Sequence, residues 1–278
     1  MKEFQITLHL HKQFAAVGNG NTVDIIPYYL DGGISTYAPF IGYGSENIIA
    51  AKLINSKGEL VEVLERQYPE LFWGVCGTGQ FFGPVTELTI KTKPYSLLGN
   101  EGGQLDAGPA QQILFPSTFD KHSDHLDWVC AEGNLKRFSQ VGLAGWSTGN
   151  FKRLAELHSE LVENCTDAAR SGYTVEWHTP CRAKRELRSS FGNENVEYWL
   201  NILSWYTDAS NHEFVDMMEH KAQAAMREGT GEEASISYTN TTREDPIEYR
   251  YKDTDTVGRL QSLKKRVDPT GIFTGEFL

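Results

Sequence analysis

The sequence has little that would mark a metal site, a redox dithiol, a membrane span or a polyanion-binding surface. Its four cysteines, Cys76, Cys130, Cys165 and Cys181, form no C-x-x-C pair, and no histidines gather at ligand spacing. Neither a zinc site nor a dithiol centre is expected, and no metal is assigned. Basic residues are outnumbered, 26 Lys and Arg against 37 Asp and Glu, for a net charge of -11. A nucleic-acid or anionic-membrane partner would call for a basic face, so neither is expected. No apolar run approaches the length of a membrane helix. The start, Met1-Lys2-Glu3-Phe4-Gln5, has no apolar signal-type region, so the expectation is a cytoplasmic protein, with a truncated N-terminus as the alternative reading of that start. The sequons Asn164-Cys-Thr and Asn240-Thr-Thr would matter only in a secretory setting.

What is present is enough chain for a core. A length of 278 residues predicts one large domain or two small ones. Aromatic residues are plentiful, with 14 Phe, 12 Tyr and 6 Trp. They suit a core and equally a pocket for a flat organic ligand. Phe4, Ile6, Leu8 and Leu10 alternate, which predicts a strand over residues 4–17. Residues 48–55 and 59–64 flank Ser56-Lys57-Gly58 and read as a hairpin. Residues 65–76 begin as a helix, and Val85 to Lys91 alternate as a strand. Residues 95–112 read as a linker. Beyond it, Asn150 and Ser210 are the expected caps of two amphipathic helices, the first carrying Phe151, Leu154, Leu157 and Leu161. Strands are expected at 139–145, 173–177, 198–206 and 234–239. A last helix carries Val257, Leu260, Leu263 and Val267 and is ended by Pro269. The mixture without strict strand–helix alternation predicts an α+β architecture.

Two glycine-rich blocks carry a family resemblance. One is Gly32-Gly33-Ile34-Ser35 followed by Tyr43-Gly44-Ser45-Glu46-Asn47-Ile48. The other is Pro69-Glu70-Leu71-Phe72-Trp73 followed by Gly77-Thr78-Gly79-Gln80-Phe81-Phe82-Gly83-Pro84-Val85-Thr86. In order and spacing they resemble the G-G-I-S…D-N-V and D-L-F-W…G-G-G-N-N-F-G-I-V-T elements of the berberine-bridge-enzyme-like, PCMH-type FAD-linked oxidoreductases. Tyr238-Thr-Asn240 is similar to that family's Y-x-N element, and Leu260 to Phe273 resembles its closing segment. The likeness covers roughly 14–94 and 196–278. It implies a remnant PCMH-type FAD-binding subdomain over 1–94, a substrate subdomain with an antiparallel sheet backed by helices over 95–252, and a tail, 253–278, that returns to the first.

The resemblance implies FAD as cofactor, lined by Gly32, Gly33, Ser35, Gly77, Gly79, Gly83, Val85 and Asn240. Glycines let backbone N–H groups approach a pyrophosphate or a flat ring where a Cβ would block them. The departures from the family pattern imply a lost flavin as the alternative expectation. No R-S-G-G-H-type loop precedes Gly18, and no Cys lies in 32–44, so neither covalent attachment is visible. Thr78, Phe81 and Pro84 replace a glycine, a small residue and an N–H donor. The resemblance further implies a chain without the N-terminal part of the FAD domain, and a homodimer or a partner chain is the expected cover for the interface it would leave.

The family's hydride transfer is accompanied by a base from the substrate-domain sheet. Candidates here are Tyr206 and Tyr238, and the pair Glu176 and His178, which i, i+2 spacing places on one strand face. The alternation of 198–206 sets Tyr198, Leu200, Ile202, Ser204 and Tyr206 on one face. The expected activity is FAD-linked oxidation of a small organic, secondary-metabolite-like substrate. The alternatives are a flavin-free descendant that directs a non-redox cyclisation of a polyketide- or alkaloid-like ligand, or an inactive partner subunit.

Overall fold

The computed structural model describes residues 1–98, 118–177, 189–191, 196–229, 236–237, 245, 247–251 and 254–274. Its first part runs α1 (Lys2–Leu10), β1 (Gln13–Phe14), α2 (Ile25–Leu30), α3 (Ala38–Ile41), β2 (Ile48–Ile54), β3 (Leu60–Leu64), α4 (Pro69–Thr78), β4 (Val85–Ile90) and β5 (Lys93–Pro94). The second comprises β6 (Leu135–Leu143), α5 (Thr148–Asn164), β7 (Gly172–Trp177), β8 (Tyr198–Tyr206), α6 (His212–Arg227), β9 (Ile236–Ser237), α7 (Ile247–Arg250) and α8 (Thr254–Val267). The architecture is α+β, with antiparallel pairing throughout the described sheets. Among the described residues no helix is long and apolar enough to cross a membrane.

The hairpin read from Ser56-Lys57-Gly58 is there: β2 pairs with β3 on one side and β4 on the other. Gly58 sits at φ +79, a left-handed turn conformation that glycine adopts without strain. Phe14, Val17, Tyr29, Leu53, Val63 and Val75 make the core beneath this sheet. The expected strand over 4–17 is instead mostly helix α1. Its alternation is only four residues long, and Lys, Glu, Gln and Leu are good helix formers. Gln5 and Leu8 turn inward, while Ile6 and Leu10 are left exposed. Gln5 is held by Ser123 Oγ at 2.8 Å.

The second sheet has the order β7-β8-β6-β9. Its register is continuous, from Leu135 opposite Tyr206 to Leu143 opposite Tyr198. One face packs on α5 and α6, where Val141, Leu143, Leu200 and Ile202 meet Leu154, Ala222 and Met226. Full burial of each such side chain stabilises by about 1.5–3 kcal/mol. The α5 cap is Ser147, whose Oγ accepts from Asn150 N at 3.2 Å. Asn150 instead donates its side chain to Met226 O and Glu228 O, binding α5 to the end of α6. Ser210 likewise does not cap α6: it lies in the short turn Ala209–Asn211, capped by Asp208.

The tail returns to the first part. Leu260 and Leu263 of α8 pack with Trp73, Phe81 and Phe82. Lys264 Nζ donates to Phe81 O at 2.7 Å and pairs with Asp268. Arg259 grips Glu70 with two hydrogen bonds and lies 3.7 Å from the centre of the Trp73 ring. Residues 118–127 also pack on the first core, through Phe119 and the Lys2–Asp124 ion pair.

Candidate functional site

Helix α4 breaks inside its last turn. Cys76 and Gly77 have non-helical backbone angles, with Gly77 at φ +128, a region that disfavours side chains. The break stops the carbonyls of Gly74 and Cys76 from being used wholly within the helix. Residues 189–191 take them up. Ser190 N donates to Cys76 O at 2.8 Å, Ser190 Oγ reaches Gly74 O at 3.2 Å, and Ser189 Oγ donates to Cys76 O. Thr78 and Ser45 hydroxyls complete the contact, at 2.9 Å from Ser190 Oγ and 3.2 Å from Ser189 Oγ.

This segment carries Phe191 into the space between the two glycine blocks. A Cβ on Gly32 would lie 2.3 Å from Phe191 Cε2, and one on Gly77 would lie 2.4 Å from Phe191 N. Tyr43 meets the Phe191 ring edge-on at 5.2 Å, and Ile34, Val196 and Trp199 pack in the same cluster. The other glycines also face the chain itself. A Cβ on Gly33 would meet Gly44 Cα at 2.9 Å, on Gly79 Leu30 Cδ2 at 2.6 Å, and on Gly83 Ile54 O at 2.3 Å. Ser35 is buried and its Oγ accepts from Val17 N and Tyr37 N. Val85 belongs to β4 and packs on the first core. The close approaches that these glycines permit are therefore used by the protein's own atoms. As folded, the cradle does not fit a flavin ring, because Phe191 holds the place between Gly32 and Gly77. Asn240 lies outside the described residues.

The face of the second sheet turned away from α5 and α6 carries the other candidate. Register sets Glu176, Trp199 and Gly142 side by side, with Thr174, Asn201 and Gln140 in the next row. Glu176 is half-buried and Asn201 is buried. Oε1 of Glu176 accepts from Asn201 Nδ2 at 2.7 Å and from Asn19 Nδ2 at 2.8 Å. Asn19 belongs to the loop after β1, so the carboxyl joins the two parts of the molecule. Burial raises the Glu176 pKa above the usual carboxylate range, and the two amide bonds oppose part of that rise. Among the described residues none donates to Oε2.

Tyr206 is on the opposite face. It packs with Leu157, Leu161, Val215 and Met218, and its hydroxyl is 2.7 Å from His212 Nδ1. The structure thus separates Glu176 from Tyr206. The face chosen by the tyrosine alternation is the helix-covered one. His178 and Tyr238 lie outside the described residues. Among the described residues no cluster of His, Cys, Asp and Glu is arranged to hold a metal.

Asn19, Asn201 and Phe191 were not singled out from the sequence. Asn201 alternates with Trp199 on β8, which is a legible signal for a polar group on the less apolar face. Nothing local marks Ser189-Ser190-Phe191 as the occupant of a glycine cradle 112 positions or more away from Gly77, since that contact is purely tertiary.

No family model matches the chain. Across 94% of its length it is 21% identical to the FAD-linked oxidoreductase hasG of Aspergillus fumigatus, spanning 72% of that protein. It is 32% identical to the FAD-linked oxidoreductase fogF of Aspergillus ruber over 58% of this chain, a match that spans 31% of the relative. The solved structure of BBE-like 1 from Physcomitrella patens superposes with a TM-score of 0.73 at 14% identity, covering 98% of this chain and 74% of the other. The chain resembles the FAD-linked oxidoreductases in sequence and has the berberine-bridge-enzyme-like fold.

Proposed function

We propose that the chain acts on a small, flat organic compound by proton transfer at Glu176, on the scaffold its relatives bring to FAD-linked oxidation, with no flavin in the glycine cradle. The observation that carries this is the pairing of two features: Phe191 between Gly32 and Gly77, and a carboxyl of raised pKa held by Asn19 and Asn201 at the joint. Such a carboxyl keeps its proton to higher pH than an exposed one, which suits acid–base work. Trp199, opposite Glu176 in the sheet register, and the cluster of Ile34 and Val196 make the surroundings of the carboxyl apolar. A polyketide- or alkaloid-like compound undergoing a non-redox cyclisation fits these requirements, since ring closure moves protons without a net loss of electrons.

The second reading is FAD-linked oxidation of the same class of compound. The names of the relatives favour it, and it requires Phe191 to leave the cradle. The two readings separate by product mass. The purified chain is incubated with a panel of phenolic polyketides and alkaloids, with and without added FAD, and its visible spectrum is recorded. A colourless protein that yields isomers of unchanged mass, and loses that activity as Glu176→Gln, supports the proposal. A yellow protein, or a product lighter by two hydrogens, overturns it in favour of oxidation. A panel left untouched by wild type and variant alike counts against both and leaves a binding subunit.

A further inference from the structure

We infer that Ser189-Ser190-Phe191 is a built-in occupant of a site for a flat aromatic ring, and that its side chain, rather than the lost backbone donors, closes that site. This rests on the flavin-free reading of the cradle and adds the cause. Three observations support it. The ring of Phe191 takes the space of a Cβ on Gly32, while the same residue's backbone N and Cβ take that of a Cβ on Gly77. Its surroundings are the walls of an aromatic slot: Tyr43 edge-on at 5.2 Å, with Ile34, Val196 and Trp199 packed around it. Finally, the strap is anchored by its backbone and its two serines independently of the ring's packing. Ser190 N and Oγ and Ser189 Oγ bond the carbonyls of Gly74 and Cys76 at the α4 break, and Thr78 and Ser45 brace the hydroxyls.

The division of labour has a consequence. Deleting the ring leaves the serine anchors in place and opens an apolar cavity walled by aromatic and aliphatic side chains. A dry cavity of that kind takes up flat aromatic molecules in preference to water. Glycine at position 32, which faces the ring, then again permits close approach. The ligand class is therefore a planar ring system. An isoalloxazine without its phosphates is the largest member to try, and a single bicyclic ring such as indole is the small control.

The test uses the full chain as wild type, Phe191→Ala, and the double variant Ser189→Ala with Ser190→Ala. Each is titrated with riboflavin and with indole, following riboflavin fluorescence quenching and indole-induced thermal stabilisation. Riboflavin is chosen because it presents the ring without needing any pyrophosphate site. The expected result is no measurable binding by wild type and binding by Phe191→Ala that is tighter by about tenfold or more. The serine double variant, whose strap is unpinned but keeps its ring, should bind between the two. Wild type that binds riboflavin as well as Phe191→Ala overturns the inference. So does a Phe191→Ala protein with native circular dichroism that binds neither ring. If Phe191→Ala fails to fold, the double variant decides alone, and its failure to bind either ring is equally fatal. These outcomes are distinct from failure of the proton-transfer reading, which turns on Glu176→Gln and leaves the strap untouched.

Discussion

Asn19 donates its amide to Oε1 of Glu176 at 2.8 Å, and so ties the loop after β1 to strand β7. The same oxygen takes the amide of Asn201. A carboxyl in this position penalises the folded state when ionised, because burial raises its pKa. With a raised folded value, the wild type is at full stability below the unfolded carboxyl pKa of about 4.3 and loses stability as pH climbs through the folded value. Each unit of rise amounts to about 1.4 kcal/mol. Glu176→Gln should therefore match wild type near pH 4 and exceed it near pH 8 in urea unfolding. Curves that keep a constant separation across that range would show that the carboxyl is not perturbed.

Tyr206 provides the contrast. Its hydroxyl meets His212 Nδ1 at 2.7 Å on the helix-covered face, away from Glu176. Tyr206→Phe is expected to lower stability by about 1 kcal/mol, the usual net worth of one hydrogen bond. Its turnover of any ligand handled by wild type should stay unchanged. A variant that stays folded but loses turnover would move the working site to the other face of the sheet.

His122 sets an acid limit. Its ring sits against Tyr37 at 5.3 Å and near Thr36 Oγ1, and burial holds its pKa down from 6.5 to about 4. A depressed folded value means that its share of stability is complete above the unfolded pKa and is lost as pH falls toward 4. That gap, 6.5 to about 4, corresponds to roughly 3 kcal/mol. His122→Gln should flatten the fall in urea midpoint between pH 7 and pH 4.5. An equally steep fall in the variant would assign the acid limit to other groups.

The tail is a structural clamp. Leu263 is buried against Trp73, Phe81 and Phe82, and a Cβ on Gly74 would run into its Cδ2 at 2.7 Å. Leu263→Ala should lower stability by about 2–5 kcal/mol, the range for truncating a buried leucine. Arg259→Ala, which removes an exposed ion pair to Glu70, should change it by less than about 1 kcal/mol. Similar losses from both would show that the surface grip matters more than the apolar seam.

Much of this fold was legible in the residues. The hairpin of β2 and β3 follows from two apolar runs around a glycine turn, and β4 from the alternation after Pro84. The stripe Leu154, Leu157 and Leu161 reads as the inner face of α5, and it is. Local signals failed where two structures share one pattern. Four alternating residues in α1 suit a strand or a helix, and contact with Gln5, Leu8 and the Phe119 segment decided for helix. The caps shifted because Asn150 found better partners in Met226 and Glu228 than in its own helix.

The candidate site divides in the same way. A period of two determines that Glu176 shares a face with Thr174, and Tyr206 with Ser204, whatever the fold. Which face is sealed by α5 and α6, and which meets the glycine loops, depends on how layers stack, and no residue on β8 encodes that alone. The glycines teach the same lesson. Their presence at 32 and 77 permits, from the sequence alone, either a left-handed turn or an approach closer to the backbone than a Cβ would allow. Only the folded chain decides that the visitor is Phe191, because the serines that carry it find the carbonyls freed by a broken helix far away along the chain.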